Sequence, residues 1–326
     1  MQMLKEAPQS QVSDKQMEHR RLGQTSLYVS IVGFGASPLG NVFRQTDPTE
    51  GIAAVHEAIE LGINFFDVSP YYGLTVAETR LGEALEGRRK DVVLATKCGR
   101  YNTDEFDFSE ARITRGLEES LQRLKTDHVD LLQAHDVEFG DVTQIVNETI
   151  PALRKLQQQG KTRFVGITGY SLANLKAIAE QAQVDSILTY CRYNLLIDDM
   201  QTSLIPFAKA HEIGIVNASA LHMGILTERG APSWHPAPKQ ILDAGQRVVA
   251  LCKERGVDPA ELALRYCFDN PDVASTLVGM STPDHVRQNL RALRLEYDPK
   301  ILEEIRDLVD PVFNYRWISG RPENQG

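Results

Sequence analysis

Four side chains in the first half of the chain have types and spacing that suit proton transfer: Asp67, Tyr72, Lys97 and His135. A tyrosine hydroxyl has an unperturbed pKa near 10, and a neighbouring ammonium group lowers that pKa by stabilising the phenolate. A carboxylate paired with the ammonium keeps it charged inside a protein. An imidazole can hydrogen-bond the reacting oxygen and orient it. The set therefore suits carbonyl–alcohol interconversion, with the tyrosine transferring the proton and a bound cofactor transferring the hydride.

Each of these residues also has an ordinary structural explanation. Asp67 could close a turn through backbone amides, and Lys97 could lie in solvent at the end of a strand. His135 could be a rim histidine with satisfied hydrogen bonds, and Tyr72 could simply be aromatic packing. The functional interpretation is favoured because three consecutive predicted strands carry all four residues at or just after their carboxyl ends. That edge of a parallel α/β barrel holds its chemistry.

Eight short apolar runs, each followed by an amphipathic stretch, predict a parallel sheet with helices outside it. Eight repeats predict an α/β fold of the (β/α)8 TIM-barrel class in a single domain, with an N-terminal hairpin near 21–27 and extra C-terminal helices. An open doubly wound sheet is disfavoured, because the segment 33–38 fits a dinucleotide-binding glycine motif poorly and Pro38 discourages an immediate helix. The predicted strands are 29–36, 65–67, 92–97, 129–135, 163–168, 186–190, 214–219 and 275–279. The predicted helices are 48–61, 76–86, 109–124, 142–158, 171–182, 200–211, 239–255, 259–269, 283–294 and 299–309.

Composition excludes several classes of function. A net charge of −9 over 326 residues argues against nucleic-acid partners and acidic membrane surfaces. Four cysteines lack metal-type spacing, so we expect no metal and a reducing, cytoplasmic environment. The chain has no apolar run long enough to span a membrane. Residues 1–18 are polar and lack the apolar core of a secretory signal, so we predict a disordered leader before a domain covering 19–326.

At these four residues the sequence resembles the aldo-keto reductase superfamily, whose Asp-Tyr-Lys-His tetrad matches them. The resemblance runs from about residue 19 to about 310 and extends to longer blocks shared with sugar dehydrogenases of the superfamily. These blocks are GFGASPLG, INFFDVSPYYG, ATKCGRY, FDFS, ETIPAL, GKTRFVGITG, WHPA and LVGMS. The superfamily fold implies a nicotinamide cofactor lying across the barrel mouth. The cofactor contacts that the resemblance implies are Gly35, Ala36, Asp67, Thr168, Gly169, Tyr190, Ser219, Leu221, Gly279, Met280, Ser281, His285 and Asn289.

The chain departs from the superfamily pattern around the nicotinamide. The usual serine–asparagine pair is Thr168-Gly169, the usual glutamine is Tyr190, and an aromatic that often stacks on the ring is Ala218. Members that hold the 2′-phosphate of NADP generally place a cation at the positions of Gly279 and His285. Neither position supplies one here, which favours NAD, although two arginines of the following helix, Arg287 and Arg291, could still reach a phosphate.

The resemblance implies oxidation of an aldose at its anomeric carbon, with Tyr72 as the acid–base residue and L-galactose as the leading substrate. The alternatives are a dehydrogenase of L-fucose or D-arabinose, an NADPH-linked aldehyde reductase, and a nucleotide-sensing regulatory subunit that binds cofactor with little turnover. Sugar contacts are predicted at Tyr72, His135, Asp136 and Trp234. Cys191 beside the cofactor strand is interpreted as a small buried apolar residue rather than a reactive thiol. A monomer is the default state.

Overall fold

Eight parallel strands close into a barrel in the computed structural model, which describes residues 17–42 and 44–325. An antiparallel hairpin, β1 (His19–Arg21) and β2 (Tyr28–Ser30), precedes the barrel. The barrel strands are β3 (Val32–Gly35), β4 (Phe65–Asp67), β5 (Val93–Cys98), β6 (Val129–Ala134), β7 (Thr162–Gly169), β8 (Ser186–Tyr190), β9 (Gly214–Ala218) and β10 (Ser275–Gly279). Neighbours in the barrel follow chain order, and β10 pairs with β3 to close it.

Helices alternate with the barrel strands, and several begin at side-chain caps. Asp47 accepts the backbone N–H of Thr49 at 2.7 Å, and Asp258 accepts that of Ala260 at 2.8 Å. Such caps satisfy donors that the first helical turn leaves unpaired. The helices are α1 (Pro48–Glu60), α2 (Val76–Ala84), α3 (Glu110–Leu124), α4 (Val142–Gln144), α5 (Ile150–Gln158), α6 (Leu172–Gln181), α7 (Asp199–Ala210), α8 (Lys239–Glu254), α9 (Pro259–Phe268), α10 (Pro283–Arg291) and α11 (Lys300–Val309). The predicted (β/α)8 barrel with an N-terminal hairpin and additional C-terminal helices is confirmed.

The predicted first strand, 29–36, was wrong in one respect, because the structure divides it between two sheets. Its beginning belongs to the hairpin strand β2, and only β3 enters the barrel. Ser30 makes the division: its hydroxyl donates to the carbonyl of Val32 at 2.7 Å, and its N–H donates to the Asn64 side chain at 2.8 Å. These bonds turn the chain from one sheet into the other.

The predicted helix 142–158 is interrupted by a π-helical segment, Ile145–Thr149, between α4 and α5. Pro151 explains the interruption. It has no N–H to donate to the carbonyl four residues earlier, and its ring crowds that carbonyl. The wider turn relieves this conflict.

The predicted leader, residues 1–18, lies mostly outside the described residues. Its last two residues belong to the folded structure. Met17 packs against an apolar core cluster that includes Ala58 and Ile63, and the carbonyl of Glu18 accepts the N–H of Ile31 at 3.0 Å. The folded part therefore begins before residue 19. Within the described residues, no helix is long and apolar enough to cross a membrane.

Apolar side chains form a cluster inside the amino-terminal part of the barrel, and polar groups lie at its carboxyl edge. Three members of this cluster, Leu22, Leu27 and Val29, belong to the hairpin, so the hairpin closes the amino-terminal end of the barrel. Full burial of such side chains contributes about 1.5–3 kcal/mol each. The buried members are Leu22, Leu27, Val29, Phe65, Ala95, Leu131, Leu188, Val216, Ala274 and Leu277. The carboxyl edge of the strands is therefore set on a rigid apolar base.

Candidate active site

Three neighbouring strands bring the predicted catalytic residues to one edge of the barrel. Asp67 ends β4, Lys97 is the penultimate residue of β5, and His135 directly follows β6. The strand register pairs Asp67 with Ala95 and Lys97 with Gln133. Because side chains alternate along a strand, these positions all face the barrel interior.

Tyr72 reaches the same edge through a tight turn after β4. Its N–H donates to the carbonyl of Ser69 at 3.1 Å. The next residue, Gly73, has φ +62° and lies against the backbone of Gly40, where a Cβ would collide with the Gly40 carbonyl oxygen. The two glycines let the turn after β4 pack on the loop after β3. This packing holds the tyrosine over the barrel mouth.

Lys97 is buried and fully engaged. Its ammonium group donates to the Asp67 carboxylate, to the carbonyl of Val68 at 3.0 Å, and to the hydroxyl of Tyr72. Burial alone would lower the pKa of Lys97, but Asp67 and Tyr72 outweigh it and raise the pKa above its usual range. The cation therefore persists next to the phenol, as the sequence predicted.

The expectation that Lys97 would lower the pKa of Tyr72 overall was wrong. Burial raises the pKa of Tyr72 above its ordinary value of 10.0, and Lys97 only partly opposes that rise. Asp67 and Asp136 raise it further through their negative charges. Desolvation depends on the closed barrel, so it is invisible in the order of residues along the chain.

His135 is a neutral hydrogen-bond donor at this edge. Burial lowers its pKa to about 3, although Asp136 opposes the shift. The Ser69 hydroxyl lies 3.0 Å from His135 Nδ1, and its oxygen already accepts the N–H of Tyr71 at 3.1 Å. The Asp136 carboxylate lies 3.7 Å from Nε2 and favours the tautomer with the ring proton on that nitrogen, so Nδ1 accepts the Ser69 hydroxyl. The His135 ring stands edge-on to the Tyr72 ring, with centroids 5.8 Å apart, so both face the same space.

Asp136, a predicted sugar contact, is buried beside this imidazole. Its Oδ2 lies 3.7 Å from His135 Nε2, and its N–H donates to the Thr168 hydroxyl at 3.1 Å. The Arg100 guanidinium pairs with its carboxylate and lies 3.8 Å above the ring of Tyr71. The negative charge of Asp136 is thus compensated by a cation that the sequence analysis did not identify.

The predicted cofactor residues follow β3 and β7 to β10 at the same edge. Gly35 ends β3, and the N–H of Ala36 donates to the Asp67 carbonyl at 2.9 Å. Thr168 and Gly169 end β7. The others at this edge are Tyr190, Ser219, Leu221, Gly279, Met280 and Ser281. The side chain of Met280 is fully buried in the core, so only its backbone can contribute to the mouth.

Asp67, also predicted as a cofactor contact, is only 2% exposed, and its two oxygens accept hydrogen bonds from protein groups. Gly169 has a structural reason to depart from the usual asparagine, because a Cβ there would collide with Glu138 Oε2. The Thr168 oxygen accepts a backbone N–H, so its own proton is available to a carboxamide. Glycines at 35 and 279 leave backbone open at the edge. These residues fit a dinucleotide that supplies a nicotinamide.

The predicted adenosine end is formed by Ser281 and helix α10. His285 Nδ1 lies 3.2 Å from the Ser281 hydroxyl. The backbone N–H of His285 donates to the Thr282 hydroxyl, which caps the helix, at 3.2 Å. Asn289 is half-buried one helical turn further along. Arg44 is a cation that the sequence analysis missed: its Nη2 lies 2.6 Å from His285 Nε2.

The two arginines of α10 that the sequence analysis singled out are engaged elsewhere. Arg287 pairs with Glu57 at 2.8 Å and also with Asp284, while Arg291 lies 3.7 Å from Glu261. Neither makes a contact at His285. Arg44 therefore replaces the two arginines of α10 as the candidate cation for binding a phosphate.

An aromatic cluster from the C-terminal tail lies at the carboxyl ends of β7 and β9. Trp317 stacks on Tyr170 with centroids 4.6 Å apart, and it meets the edges of His222 and His235. Trp234, the predicted sugar contact, is 53% exposed. The tryptophan predicted from the sequence as a sugar contact is thus the more exposed of the two.

Cys191 was interpreted as a small buried apolar residue, and the structure agrees. Its side chain is fully buried, and burial raises the pKa of the thiol to about 12. All four cysteines are free and buried. Among the described residues, no group of three or more His, Cys, Asp or Glu side chains is placed to hold a metal ion.

Comparison with known proteins agrees with this geometry. The model of the aldo/keto reductase family matches residues 31–310. The chain belongs to the aldo/keto reductase family. An L-galactose dehydrogenase of Arabidopsis thaliana is 46% identical to it, covering 94% of this chain and 99% of the relative. A D-threo-aldose 1-dehydrogenase of a Pseudomonas species is 29% identical, covering 86% and 94%. The solved holo form of an aldo-keto reductase from Bacillus halodurans superposes with a TM-score of 0.77 at 28% identity, covering 95% and 100%.

Membership of this family makes the chain an oxidoreductase of a group that uses a nicotinamide cofactor, and it confirms the resemblance drawn from the tetrad and the longer sequence blocks. Residues at the site that were not predicted from the sequence include Ser69, Arg100 and Arg44. Ser69 lies within the segment INFFDVSPYYG, and Arg100 within ATKCGRY. Those segments were recognised as wholes, so the individual roles inside them were not separated.

Proposed function

We propose that this aldo/keto reductase oxidises an aldose at its anomeric carbon, with L-galactose as the substrate and NAD as the cofactor. The observation that carries the proposal is the buried tetrad, in which an ammonium group is held between a carboxylate and a phenol, with a neutral imidazole opposite. The relative at 46% identity, which matches nearly the whole of both chains, supports L-galactose as the sugar.

In this proposal Tyr72 is the base. Its phenolate accepts the proton of the anomeric hydroxyl, and Lys97 stabilises the phenolate through its hydrogen bond and charge. Nε2 of His135 donates a hydrogen bond to the same substrate oxygen and holds it between the two rings. The bound nicotinamide supplies the acceptor for the hydride that leaves the anomeric carbon. Loss of the proton and the hydride converts the cyclic sugar into its lactone.

Recognition of the sugar would use polar groups beside the imidazole. Asp136 and Arg100 form a compensated ion pair at the edge of the mouth, and such a pair offers both an acceptor and donors to neighbouring hydroxyls. The aromatic cluster of Tyr170 and Trp317 offers a flat apolar wall. We propose that Asp136, Arg100, Tyr170 and Trp317 form the sugar site. Tyr72 and His135 contact the reacting oxygen of the same sugar.

The preference for NAD rests on the adenosine end of the proposed cofactor site. Gly279 and His285 carry no permanent positive charge, and both arginines of α10 pair with carboxylates. Arg44 is the specific observation that favours the alternative, an NADPH-linked reductase, because its exposed guanidinium lies against His285. A 2′-phosphate would gain a charge-assisted hydrogen bond from one such group.

The experiment is NADH or NADPH formation by the purified protein with L-galactose, L-fucose and D-arabinose. We expect kcat/KM to be highest for L-galactose with NAD. The variant Arg44→Ala should leave the NAD reaction nearly unchanged and reduce any NADP reaction. A higher kcat/KM with NADP would overturn the cofactor proposal. If the protein oxidises none of the three sugars but still binds the cofactor measurably, the enzyme proposal would be replaced by a nucleotide-sensing role.

A further inference from the structure

The carboxylate of Asp67 has two partners, and only one of them belongs to the tetrad. One oxygen accepts a hydrogen bond from Lys97, and the other accepts one from Gln133 Nε2 at 2.9 Å. Gln133 is fully buried on β6, two residues before His135 and in register with Lys97. An amide oxygen turned toward a carboxylate would be repelled, so the donor assignment of this amide follows from its partner.

The rest of the Gln133 environment contributes little to stability. Its Oε1 is buried without a hydrogen-bond partner. An unsatisfied buried amide oxygen costs free energy, and an apolar side chain of the same length would avoid that cost. The hydrogen bond to Asp67 is thus the polar contact that this buried side-chain amide makes.

A glycine on the neighbouring strand makes room for this glutamine. Gly166 is in register with Gln133, and a Cβ at residue 166 would lie 3.2 Å from Gln133 Cγ and collide with the Ser186 hydroxyl. The glutamine therefore extends along the interior of the barrel toward β4 instead of being displaced by a side chain of β7. The absence of a side chain at Gly166 on β7 thus leaves room for the hydrogen bond from Gln133 on β6 to Asp67.

We propose that Gln133 is a positioning residue: it holds the Asp67 carboxylate so that its second oxygen faces Lys97, which keeps the ammonium directed at Tyr72. This inference rests on the proposed role of Tyr72 as the base. Gln133 itself touches neither the proposed substrate oxygen nor the phenol. Its effect passes through Asp67 and Lys97.

The physical consequence is a change in the charge around the phenol. The charged groups that face Tyr72 are Lys97, Asp67 and Asp136, and His135 beside it is neutral. Without the amide donor, the negative charge of Asp67 is less compensated and its carboxylate is free to rotate away from the ammonium. Both changes disfavour the phenolate, so the pKa of Tyr72 rises.

The test compares Gln133→Met, which keeps the side-chain length without the donor, and Gln133→Glu, which adds a second carboxyl beside Asp67. The titration of Tyr72 is followed by NMR of isotope-labelled tyrosine Cζ, with its signal identified by loss in Tyr72→Phe. We expect the pKa of Tyr72 to rise by about one unit in Gln133→Met, because a hydrogen bond to a charged group is lost. The rise should be larger in Gln133→Glu. Sugar oxidation should lose kcat, with KM and cofactor Kd nearly unchanged.

Ser275→Ala is the matched control, because Ser275 is another buried barrel residue whose hydroxyl has no hydrogen-bond partner. It should leave the Tyr72 titration unchanged. A Tyr72 titration equal to wild type in both folded Gln133 variants would overturn the inference. If the wild type oxidises no sugar while the Tyr72 signal still shifts in both variants, the positioning role stands and the proposed function fails.

Discussion

Single residues at the barrel mouth hold their protonation states through burial as much as through charge. Lys97 and Asp67 form a buried ion pair, whose desolvation is costly unless further hydrogen bonds satisfy both groups. Val68, Gln133 and Tyr72 supply those bonds. Removing one member would leave the other charge buried and unpaired, so the pair functions as a unit.

The pH dependence of the reaction follows from the same residues. Oxidation needs the Tyr72 phenolate, and burial raises the pKa of Tyr72, so kcat/KM for oxidation should increase from about pH 7 to about pH 9. The reverse reduction needs the protonated phenol and should decrease as the pH rises through the same pKa. Initial rates in both directions across a pH series measure this.

The same series tests the state of the imidazole. His135 has a pKa of about 3, so no limb of the profile should fall at the ordinary histidine value of 6.5. A limb there that disappears in His135→Gln would contradict the neutral-donor role.

The sequence specified the tetrad because its four residues occupy strand ends, and strand ends meet at one barrel edge. It did not specify the residues that contact the tetrad and the predicted adenosine end. Ser69 and Gln133 act by contacts across 66 residues of chain, and Arg44 reaches His285 across 241 residues. Such pairings depend on closure of the barrel, which no local pattern encodes.

At the scale of secondary-structure elements, periodicity predicted nearly every helix within a few residues of its observed bounds. The errors lie where a backbone hydrogen bond is redirected or missing. Ser30 ends the hairpin ladder inside the predicted first strand, and Pro151 produces the π-helical segment inside the predicted fourth helix. Apolar periodicity continues through both places, so it could not locate them.

A helix cap offers a prediction at this scale. The Asp258 carboxylate accepts the N–H groups of Ala260 and Glu261 at 2.8 and 3.0 Å at the start of α9. Asp258→Ala should lower the free energy of unfolding by about 1 kcal/mol, because two donors of the first turn lose their acceptor. Denaturant unfolding measures the loss, and Asp258→Asn should recover most of it. Equal free energies of unfolding for wild type and Asp258→Ala would show that this cap does not stabilise the protein.

At the scale of the whole molecule, the C-terminal tail is fastened to the loop that carries the site. The backbone carbonyl of Glu138 accepts the N–H of Arg321 at 2.9 Å and the Asn324 side chain at 2.8 Å. Its carboxyl group accepts the Ser319 hydroxyl at 3.2 Å and the N–H of Tyr170 at 3.0 Å. One buried residue thus links the tail and β7 to the segment after His135.

Glu138 gives the molecule a pH-dependent stability. Burial, followed by the charge of Asp136, raises its pKa to about 8 from an ordinary value of 4.5. Between these values the folded state binds more protons than the unfolded state, so this residue's contribution to stability falls as the pH rises through that window. The melting temperature of Glu138→Gln should therefore fall less than that of wild type between about pH 5 and about pH 8. Parallel melting curves for the two proteins would contradict the assignment of a neutral Glu138.

We propose that Tyr72 transfers the proton in NAD-linked oxidation of an aldose. The most direct measurement is the rate of NADH formation from NAD and L-galactose by wild type and by Tyr72→Phe, with the Kd of NAD measured for both. We expect kcat to fall by about 10²–10⁴-fold in the variant while the Kd stays within about twofold, because only the proton-transfer group is removed. Undiminished oxidation of L-galactose by Tyr72→Phe would contradict it.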